Sequence, residues 1–428
     1  MYEARKYWDS EVETMPLEKL KSLQEDRFKS LIHRAYDKSG LYKRKFDEIG
    51  IKPSDITGLK DIEKLPLTNY LEDFCNTPLS EKLSIPMNEV VAINSTSGTL
   101  SGFTQPIPLS KNDWDFYIYG EARCRWTIGV RPDDVVQCLV PFESSSRGYQ
   151  AIGTRMLLNT AGRGNPDHQI RLAKETGVTV MEYLPSLVLT YFRRAEELGI
   201  DIRETDIRLV VGGGECFADA YRKRIEAVYG IPFRTLYGTA ETGGIGIECE
   251  EGNGLHFFAD CGIVEVIDLD TEEVLGAGKE GQIVYTPIWN EAVPLIRYKT
   301  GDVGKIFPYE PCKCGRTHPK MSLVKGRVAH IVKVQGKKIL PIDIEEVIAK
   351  ITELGEENQI IVDKPGELDR LKIKAEYRAE VNDLSHLRGR LEESIYNELG
   401  VNCEVELVPV GTLNRVIFKA QRIITTFQ

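Results

Sequence analysis

The chain has no apolar segment near its first residue and no hydrophobic run long enough to cross a bilayer. It starts MYEARK, whereas a secretory signal needs an apolar stretch of roughly 7–15 residues. Its longest apolar runs, such as IIV at 360–362, are of strand length, far short of the about 18 residues of a transmembrane helix. We therefore expect a cytoplasmic protein without a membrane partner.

Positive charge is also scarce. The 428 residues include 55 Lys and Arg against 65 Asp and Glu, a net charge of −10. A protein this acidic does not hold a polyanion by bulk electrostatics, so no nucleic-acid partner is expected. The nine cysteines are odd in number and scattered over a long chain, which indicates reduced thiols rather than a disulfide framework.

Hydrophobic periodicity divides the chain into successive regions of different predicted secondary structure. The sequence has no internal repeats or low-complexity linkers. About the first 85 residues predict helices, and strands then alternate with helices to about residue 250, with strands at 90–93, 135–140 and 209–211. Strands at 262–267, 281–286 and 304–307 indicate a β-rich subdomain. A strand pair around 335–337, a helix at 341–351, then a strand, a helix and a strand indicate a small α+β unit. We expect an α/β fold with a large domain at 1–326 and a small α+β domain at 327–428.

Three segments of the larger domain combine glycine with polar side chains suited to a nucleotide. NSTSGTLSGFT at 94–104 follows a strand and can wrap N–H groups and hydroxyls around phosphates, although it lacks the Gly-Lys-Ser/Thr of a Walker loop. TLYGTAETGG at 235–244 offers a ring to stack on a base and Glu241 to hold Mg²⁺. VPLIRYKTGD at 293–302 ends on Asp302, whose carboxylate can accept both ribose hydroxyls. Taken singly, each is equally compatible with an ordinary polar loop.

Two further segments belong to the small unit, namely GRVAHIVKVQGKKILPIDIE at 326–345 and the late Lys419. A lone lysine is ordinarily a solvated charge. In their order and spacing, however, the five segments resemble the adenylate-forming superfamily of acyl/aryl-CoA synthetases, adenylation domains and luciferases. YWD at 7–9, YKRKF at 42–46, LPLT at 65–68 and CKCGRTHP at 312–319 narrow this resemblance to the phenylacetate–CoA ligase family. It covers essentially the whole chain.

The resemblance implies the adenylate-forming fold and an AMP-forming acid–CoA ligase. Such an enzyme activates a carboxylic acid, here an aryl acid of the phenylacetate type, with ATP and Mg²⁺, and transfers the acyl group to coenzyme A. The small domain would be mobile, turning about a hinge after Arg327, and a homodimer is compatible with the family. Two alternatives remain open, a different acceptor (an amine or a deazaflavin coenzyme) and an idle nucleotide-binding regulator.

The resemblance also assigns residues. The β- and γ-phosphates of ATP would be held by Thr96, Ser97, Gly98 and Thr99. The adenine would be framed by Gly213, Gly214, Glu215, Tyr237 and Gly238, with Asp302 at the ribose and Arg327 near the ribose or phosphates. The implied catalytic residues are Thr239 at the α-phosphate, Glu241 on Mg²⁺, and Lys419 between the carboxylate and α-phosphate oxygens.

Two positions depart from the family pattern. The phosphate loop of the family reads SGTTGKPT, whereas residues 97–104 read SGTLSGFT, so one threonine and the lysine are missing. The family commonly has Asp-Asp at the hinge, where this chain has Ala329 and His330. The second departure keeps the alternative acceptors open.

Four residues in or beside the β-rich subdomain have the chemistry of a structural zinc site. Cys249 and His256 precede a Cys-x-Cys pair, Cys312 and Cys314, and three thiolates with one imidazole suit tetrahedral Zn²⁺. Some family members carry this pattern and bind zinc, so the resemblance implies a zinc site here. Buried thiols without metal are the alternative, with Cys261 and His318 as spare ligands.

Overall fold

The computed structural model describes residues 5–96, 103–140, 143–158, 165–413 and 422–427. The chain forms two compact units. The first comprises Met1–Glu182, Asp206–Gly214 and Arg234–Val324, and the second comprises Tyr183–Thr205, Glu215–Phe233 and Lys325–Gln428. The second unit thus includes two helical segments that come before residue 326 in the sequence. The expected division into functional domains at 326/327 stays a prediction.

Helices and strands alternate along the described chain as the α/β prediction requires. The helices are α1 Ser10–Glu13, α2 Leu17–Lys38, α3 Gly40–Glu48, α4 Leu79–Lys82, α5 Lys111–Ile128, α6 Glu143–Ile152, α7 Pro166–Thr176, α8 Pro185–Glu197, α9 Asp219–Tyr229, α10 Pro341–Ala349 and α11 Leu384–Leu399. The strands are β1 Val90–Ser95, β2 Pro106–Ser110, β3 Val135–Cys138, β4 Arg155–Leu157, β5 Val180–Tyr183, β6 Leu209–Gly212, β7 Phe233–Thr239, β8 Gly243–Glu248, β9 Leu255–Phe257, β10 Gly262–Ile267, β11 Gly281–Pro287, β12 Tyr298–Gly304, β13 Lys320–Met321, β14 Gly326–Arg327, β15 Val332–Val334, β16 Lys337–Ile339, β17 Leu354–Val362, β18 Leu371–Tyr377, β19 Cys403–Pro409 and β20 Ile423–Thr425. None of the described helices combines the length and the apolar character that a bilayer span needs.

The first unit opens with the predicted helices. Phe28, Leu31 and Ile32 recur at helical spacing on α2 and are buried, because that face packs on Tyr42 and Phe46 of α3. The pair is broken at Ser39, whose extended backbone ends α2 and precedes α3. The predicted helical start is confirmed to Glu48, after which short helical turns follow.

An eight-stranded sheet forms the centre, in the order β13-β9-β8-β7-β6-β5-β3-β4. Its β3 pairs in parallel with β4 and β5, whereas β7, β8, β9 and β13 pair antiparallel in succession. All four residues of β6 are buried, as expected of an apolar strand covered on both faces. The sheet therefore changes from parallel to antiparallel near the predicted nucleotide segments.

The β-rich part is an antiparallel run of β10, β11 and β12, and here one predicted strand is wrong. The sequence favoured a strand at 304–307, whereas the strand is Tyr298–Gly304 and Ile306 forms only an isolated bridge. The KTGD sequence at 299–302 was equally compatible with a turn. It is accommodated in the strand by a register shift, in which Gly301 takes a φ of 78°.

In the second unit, β17 pairs antiparallel with β18, and β18 with β19 and β17 with β20 are parallel pairs. Buried Ile344, Val347 and Ile348 of α10 and Leu387 and Leu391 of α11 share one core with these strands. The prediction of a strand, a helix and a strand missed two strands, because β18 precedes α11 and β20 follows β19. The predicted strand pair around 335–337 is the β15–β16 hairpin, whose turn residues Gln335 and Gly336 have φ of 49° and 76°.

Helices α8 and α9 join this unit through charged contacts. Arg193 of α8 forms an ion pair with Glu356 of β17. The Glu346 carboxylate of α10 accepts hydrogen bonds from the Asp219 and Ala220 N–H groups at the start of α9. Because a helix start presents unpaired N–H groups, a carboxylate there is stabilising.

A buried ionic network fixes the N-terminal segment of the first unit. The Arg316 Nε donates to Glu13 Oε2 over 2.6 Å, and Arg123 Nη1 donates to both oxygens of Asp260 over 3.0 Å. Burial and the neighbouring Arg123 lower the pKa of His318 to about 3, so this imidazole is neutral at physiological pH. Glu13 and Arg123 are both 0% exposed, so neither charge can be solvated if its partner is lost.

We expect Glu13→Ala to lower the free energy of unfolding by about 3–5 kcal/mol, because it strands buried guanidinium charges. Urea denaturation measures the change. The control is Asp115→Ala, which removes an exposed ion pair with Lys111 and should cost less than about 1 kcal/mol. Equal effects of the two substitutions would contradict this account of the network.

Candidate functional site

Four sequence-predicted segments meet in the first unit. The Asn94 Nδ2 at the end of β1 donates to Ala240 O over 3.4 Å, in the turn between β7 and β8. A Cβ on Gly213, just after β6, would lie 2.9 Å from Cδ1 of Leu236 on β7. Tyr237 Oη donates to Asp302 Oδ2 of β12 over 2.8 Å. The structure therefore brings the ends of β1 and β6, the β7–β8 hairpin and β12 together at one place.

The predicted phosphate loop is tied at its base. Thr96 N–H donates to Gln105 O over 3.0 Å, and Gln105 N–H donates back to Thr96 Oγ1 over 2.9 Å. Thr96 is 5% exposed, and its hydroxyl also lies 3.2 Å from the hydroxyl of Tyr70. The other predicted phosphate ligands, Ser97, Gly98 and Thr99, lie outside the described residues.

The β7–β8 hairpin is closed by a glycine contact and a hydroxyl pair. A Cβ on Gly238 would lie 2.5 Å from Gly243 O, so only glycine fits there. Thr239 Oγ1 lies 3.0 Å from Thr242 Oγ1 and accepts the Thr242 N–H over 3.3 Å. This turn places the half-buried Glu241 at the tip of the hairpin.

Glu241 has a partner to which the sequence analysis gave no role. Tyr298 Oη donates to Glu241 Oε1 over 3.1 Å, from a ring that is 2% exposed. Tyr298, Thr300 and Asp302 are buried at every second position of β12. That alternation is the signal that could have marked Tyr298 as facing the same way as Asp302, and it was hidden because the segment did not look like a strand.

Asp302 is aimed by the irregularity of its strand. Its N–H donates to Thr300 Oγ1 over 3.1 Å, and Thr300 Oγ1 donates to Ile283 O over 2.9 Å. The carboxylate is 5% exposed and accepts the Tyr237 hydroxyl. A carboxylate held in this way has lone pairs left for further donors, such as vicinal hydroxyls.

Of the remaining predicted nucleotide residues, Gly214 lies in the first unit, Glu215 and Arg327 lie in the second unit, and Lys419 is not described. Gly214 has a φ of 85° directly after β6. Glu215 belongs to the second unit, where its Oε1 accepts the Ser186 N–H at the start of α8 over 2.6 Å and burial raises its pKa. Arg327 is half-buried in β14 of that unit, followed by a helical turn at Val328–His330 in which Ala329 is exposed. Lys419 lies outside the described residues.

The four predicted metal ligands form a second cluster in the first unit. The ligand atoms of Cys249, His256, Cys312 and Cys314 all lie within 4.8 Å of one another, and all four residues are buried. Cys249 Sγ is 3.8 Å from Cys312 Sγ, and Cys314 Sγ is 3.5 Å from His256 Nε2. His256 Nδ1 lies 2.9 Å from the backbone oxygen of His318, which leaves Nε2 as the acceptor that faces the thiols. The spare candidates Cys261 and His318 are not part of the cluster.

The Cys-x-Cys loop also anchors the N-terminal segment. Tyr7 Oη donates to Cys314 O over 3.1 Å, and Thr317 Oγ1 donates to Met15 O over 2.7 Å. A Cβ on Gly315 would lie 2.3 Å from Tyr7 Oη, so the segment is packed directly on the loop. The N-terminal segment from Tyr7 to Met15 thus contacts both the Cys-x-Cys loop and, through Glu13, the buried ionic network.

Comparison with known proteins relates the chain to one group of enzymes. Residues 336–426 match the family described as AMP-binding enzyme C-terminal domain. The phenylacetate-coenzyme A ligase of Thermus thermophilus is 31% identical over 95% of this chain and 96% of the relative. That of Pseudomonas putida is 31% identical over 96% of this chain and 94% of the relative.

A likeness to solved structures extends over almost the whole chain. 2-Hydroxyisobutyryl-CoA ligase in the postadenylation state, in complex with 2-HIB-AMP, has a TM-score of 0.90 at 22% identity and covers 99% of this chain and 93% of its own. An open conformation of that enzyme with 2-HIB-AMP and CoA has a TM-score of 0.73 at 23% identity and covers 98% of this chain and 95% of its own. The α/β fold predicted from the sequence is thereby confirmed.

The hairpin contact predicts an effect of a single methyl group. Gly238→Ala should lower the free energy of unfolding by about 1–3 kcal/mol, because its Cβ meets the Gly243 backbone. Gly244→Ala is the matched control, since a Cβ there would lie 3.5 Å from Cys124 Sγ, an ordinary contact. Chemical denaturation compares the two. An unaffected Gly238→Ala would show that the hairpin is not closed as described.

Proposed function

Because the chain belongs to the phenylacetate–coenzyme A ligase family of adenylate-forming enzymes, we propose that the convergence of Tyr237, Glu241 and Asp302 in the first unit is its ATP site. The protein is an AMP-forming acid–CoA ligase, which uses ATP, coenzyme A and a small carboxylic acid. The observation that supports the assignment is the Tyr237–Asp302 hydrogen bond. It joins the ring that we assign to the adenine to the carboxylate that we assign to the ribose.

Each residue then has a role that fits its surroundings. Asp302 accepts the ribose hydroxyls, Tyr237 flanks the adenine with Gly213, Gly214, Glu215 and Gly238, and Thr239 contacts the α-phosphate. Glu241 would hold Mg²⁺, which neutralises phosphate charge when bound. Tyr298 orients the Glu241 carboxylate by its hydrogen bond.

The chemistry requires two displacements. A carboxylate oxygen of the acid forms a bond to the α-phosphorus as the bond to pyrophosphate breaks, giving an acyl-adenylate. The thiol of CoA then loses its proton and forms a bond to the acyl carbon as AMP departs. The first step opposes two anions, so fixed cations and positioning supply much of the catalysis. We assign the ammonium to Lys419, with Arg327 near the ribose or phosphates and the segment 327–428 as the part that moves between the steps.

We propose an aryl acid of the phenylacetate type as the substrate. Half-buried Tyr117 and Trp289 support this, because a Cβ on Gly243 would lie 3.0 Å from Tyr117 and 3.4 Å from Trp289. Their ring centroids are 6.3 Å apart with an interplanar angle of 64°. An edge-to-face pair beside the hairpin offers an apolar wall for an aromatic ring.

The proposal predicts acid-dependent exchange of labelled pyrophosphate into ATP, greatest with aryl acids in a panel of aryl, fatty and dicarboxylic acids. Lys419→Ala should suppress the exchange by about 100-fold or more, because the removed cation acts on the transition state. It should affect thioester formation from supplied acyl-adenylate much less. Exchange at the wild-type rate in Lys419→Ala would overturn the role of this lysine.

The acceptor is tested separately. CoA-dependent AMP release with formation of a thioester is expected, despite Ala329 and His330 at the hinge. AMP release that depends on an amine, or transfer of AMP to a deazaflavin, would replace CoA as the acceptor. ATP binding without exchange for any acid would favour an idle nucleotide-binding regulator.

We also propose that the Cys249, His256, Cys312 and Cys314 cluster holds a structural Zn²⁺. With Zn–S bonds of about 2.3 Å and Zn–N bonds of about 2.0–2.1 Å, a tetrahedron has S···S edges of about 3.8 Å and S···N edges of about 3.5–3.6 Å. Two of the six edges have these lengths here, 3.8 Å between Cys249 and Cys312 and 3.5 Å between Cys314 and His256, and all the ligand atoms lie within 4.8 Å of one another. The His256 Nδ1 contact with the His318 carbonyl supports it, since zinc-binding imidazoles usually donate their other N–H.

Metal analysis of the purified protein should give about one zinc per chain, and Cys312→Ser should lose the metal because a tetrahedral site needs all four ligands. The control is Cys124→Ser, a buried cysteine outside the cluster. Removal of zinc should also increase hydrogen exchange in residues 5–16, which pack on the Cys-x-Cys loop. A zinc-free wild type of unchanged stability would reject the site.

A further inference from the structure

A buried lysine lies at the base of the phosphate loop. Lys82, the last residue of α4, is 2% exposed. Its Nζ donates to Phe74 O over 2.9 Å and to Gln105 Oε1 over 3.1 Å, and lies 4.2 Å from the centroid of the Phe74 ring. Within the described residues, no carboxylate lies at ion-pair distance from this ammonium.

Such a cation is unusual in the interior. Burial of an ammonium group is costly unless it is paired with an acid, and a neutral amide, a carbonyl and a ring face compensate only in part. Burial accordingly lowers the pKa of Lys82. A long aliphatic side chain would fill this place at less cost, so packing alone does not account for a lysine.

The neighbours of Lys82 connect it to two residues of the proposed ATP site, Thr96 and Glu241. Gln105, which accepts from Lys82, exchanges two hydrogen bonds with Thr96, one of the predicted phosphate ligands. Phe74, whose ring faces Lys82, packs edge-on against Tyr298 at a centroid distance of 6.3 Å, and Tyr298 donates to Glu241. Phe74 lies in a single turn of π-helix at Tyr70–Cys75, a distortion found often at functional sites.

The sequence supplies a reason for a cation here. The segment 94–104 contains no lysine or arginine, and Phe103 is 57% exposed. The loop must therefore obtain positive charge from outside itself if it is to hold a polyanion in a protein of net charge −10. Lys82 donates to Gln105, the residue that directly follows this segment, and lacks an acid of its own among the described residues.

We propose that Lys82 is a positioning residue for the triphosphate of ATP, acting as the fixed cation that the phosphate loop lacks. It holds Gln105 and thereby the loop base, and its unpaired charge is compensated when the triphosphate binds. This inference rests on the proposed ATP site in the first unit.

Lys82→Met removes the charge and keeps the length of the side chain. We expect the dissociation constant for ATP, measured by titration calorimetry, to rise about tenfold or more, and that for adenosine to change less than about twofold. In pyrophosphate exchange, the KM for ATP should rise while that for the acid stays within about twofold. The thermal midpoint should be unchanged or higher, since an apolar group replaces a buried charge.

Two further variants isolate the charge. Gln105→Glu gives Lys82 an acid of similar shape to the amide, and it should weaken ATP binding as Lys82→Met does while adenosine binding stays unchanged. Lys305→Met is the matched control, because Lys305 is a half-buried lysine 5.9 Å from the Phe307 ring whose backbone is hydrogen-bonded to Ser322. It should bind ATP and adenosine as the wild type does.

The outcomes separate this inference from the function on which it rests. A wild type that binds no ATP would reject the ATP site itself. A wild type that binds ATP, with Lys82→Met and Gln105→Glu both binding it equally well, would overturn the role of Lys82 alone. Equal loss of ATP and adenosine together with a lower thermal midpoint would show that Lys82 is merely structural, which also contradicts the proposal.

Discussion

The hydrogen bond from Tyr237 to Asp302 is the contact on which the rest of the candidate site depends. It joins the β7–β8 hairpin to the bulged strand β12, two elements that are 65 residues apart in sequence. Gly238 closes the hairpin and Gly301 bends the strand, and each performs a task that a side chain would obstruct or strain. Glu241 is held at the same place by Tyr298, so protein contacts alone bring together the groups that we assign to the ribose, the base and Mg²⁺.

The buried cations of the first unit differ in whether an acid pairs with them. An acidic protein that binds a polyanion must concentrate a few cations and donors where they are needed, since its overall field is unfavourable. The buried groups follow this logic, because Arg123, Arg297 and Arg316 are each matched by an acid and are therefore structural. Lys82 has no paired acid among the described residues, and it lies at the base of the predicted phosphate loop, where it donates to Gln105.

How much could be predicted from the sequence depended on whether the signal was local. Motif order indicated the family, and Gly-rich turns after short apolar strands indicated the α/β fold, both of which are confirmed. The four residues that we propose as zinc ligands were found because thiols and imidazoles are rare and chemically distinctive, and the fold does bring them together. In contrast, β12 was missed because KTGD has turn chemistry, and only its pairing with β11 shows that it is a strand.

Residues whose role lies in a long-range contact received no role from the sequence. Lys82 belongs to no motif, and Tyr298 lies in the 293–302 segment without a distinctive side-chain chemistry for nucleotide binding. Their roles come from contacts with Gln105, 23 residues after Lys82, and with Glu241, 57 residues before Tyr298. Strand β18 was missed for a related reason, since the sheet order β19-β18-β17-β20 is set by packing under α10 and α11 rather than by local pattern. Sequence patterns thus found the groups that could touch a nucleotide, and the structure adds those that hold them.

The central claim is that Asp302, aimed by the bulge and by Tyr237, binds the ribose of ATP. Calorimetric titration of wild type and Asp302→Asn with ATP and with 2′,3′-dideoxy-ATP tests it most directly, because the second nucleotide lacks the two hydroxyls. We expect the wild type to prefer ATP by about tenfold or more, as hydrogen bonds to a charged group imply, and Asp302→Asn to lose most of that preference. An unchanged preference in Asp302→Asn would place the ribose elsewhere and contradict the account.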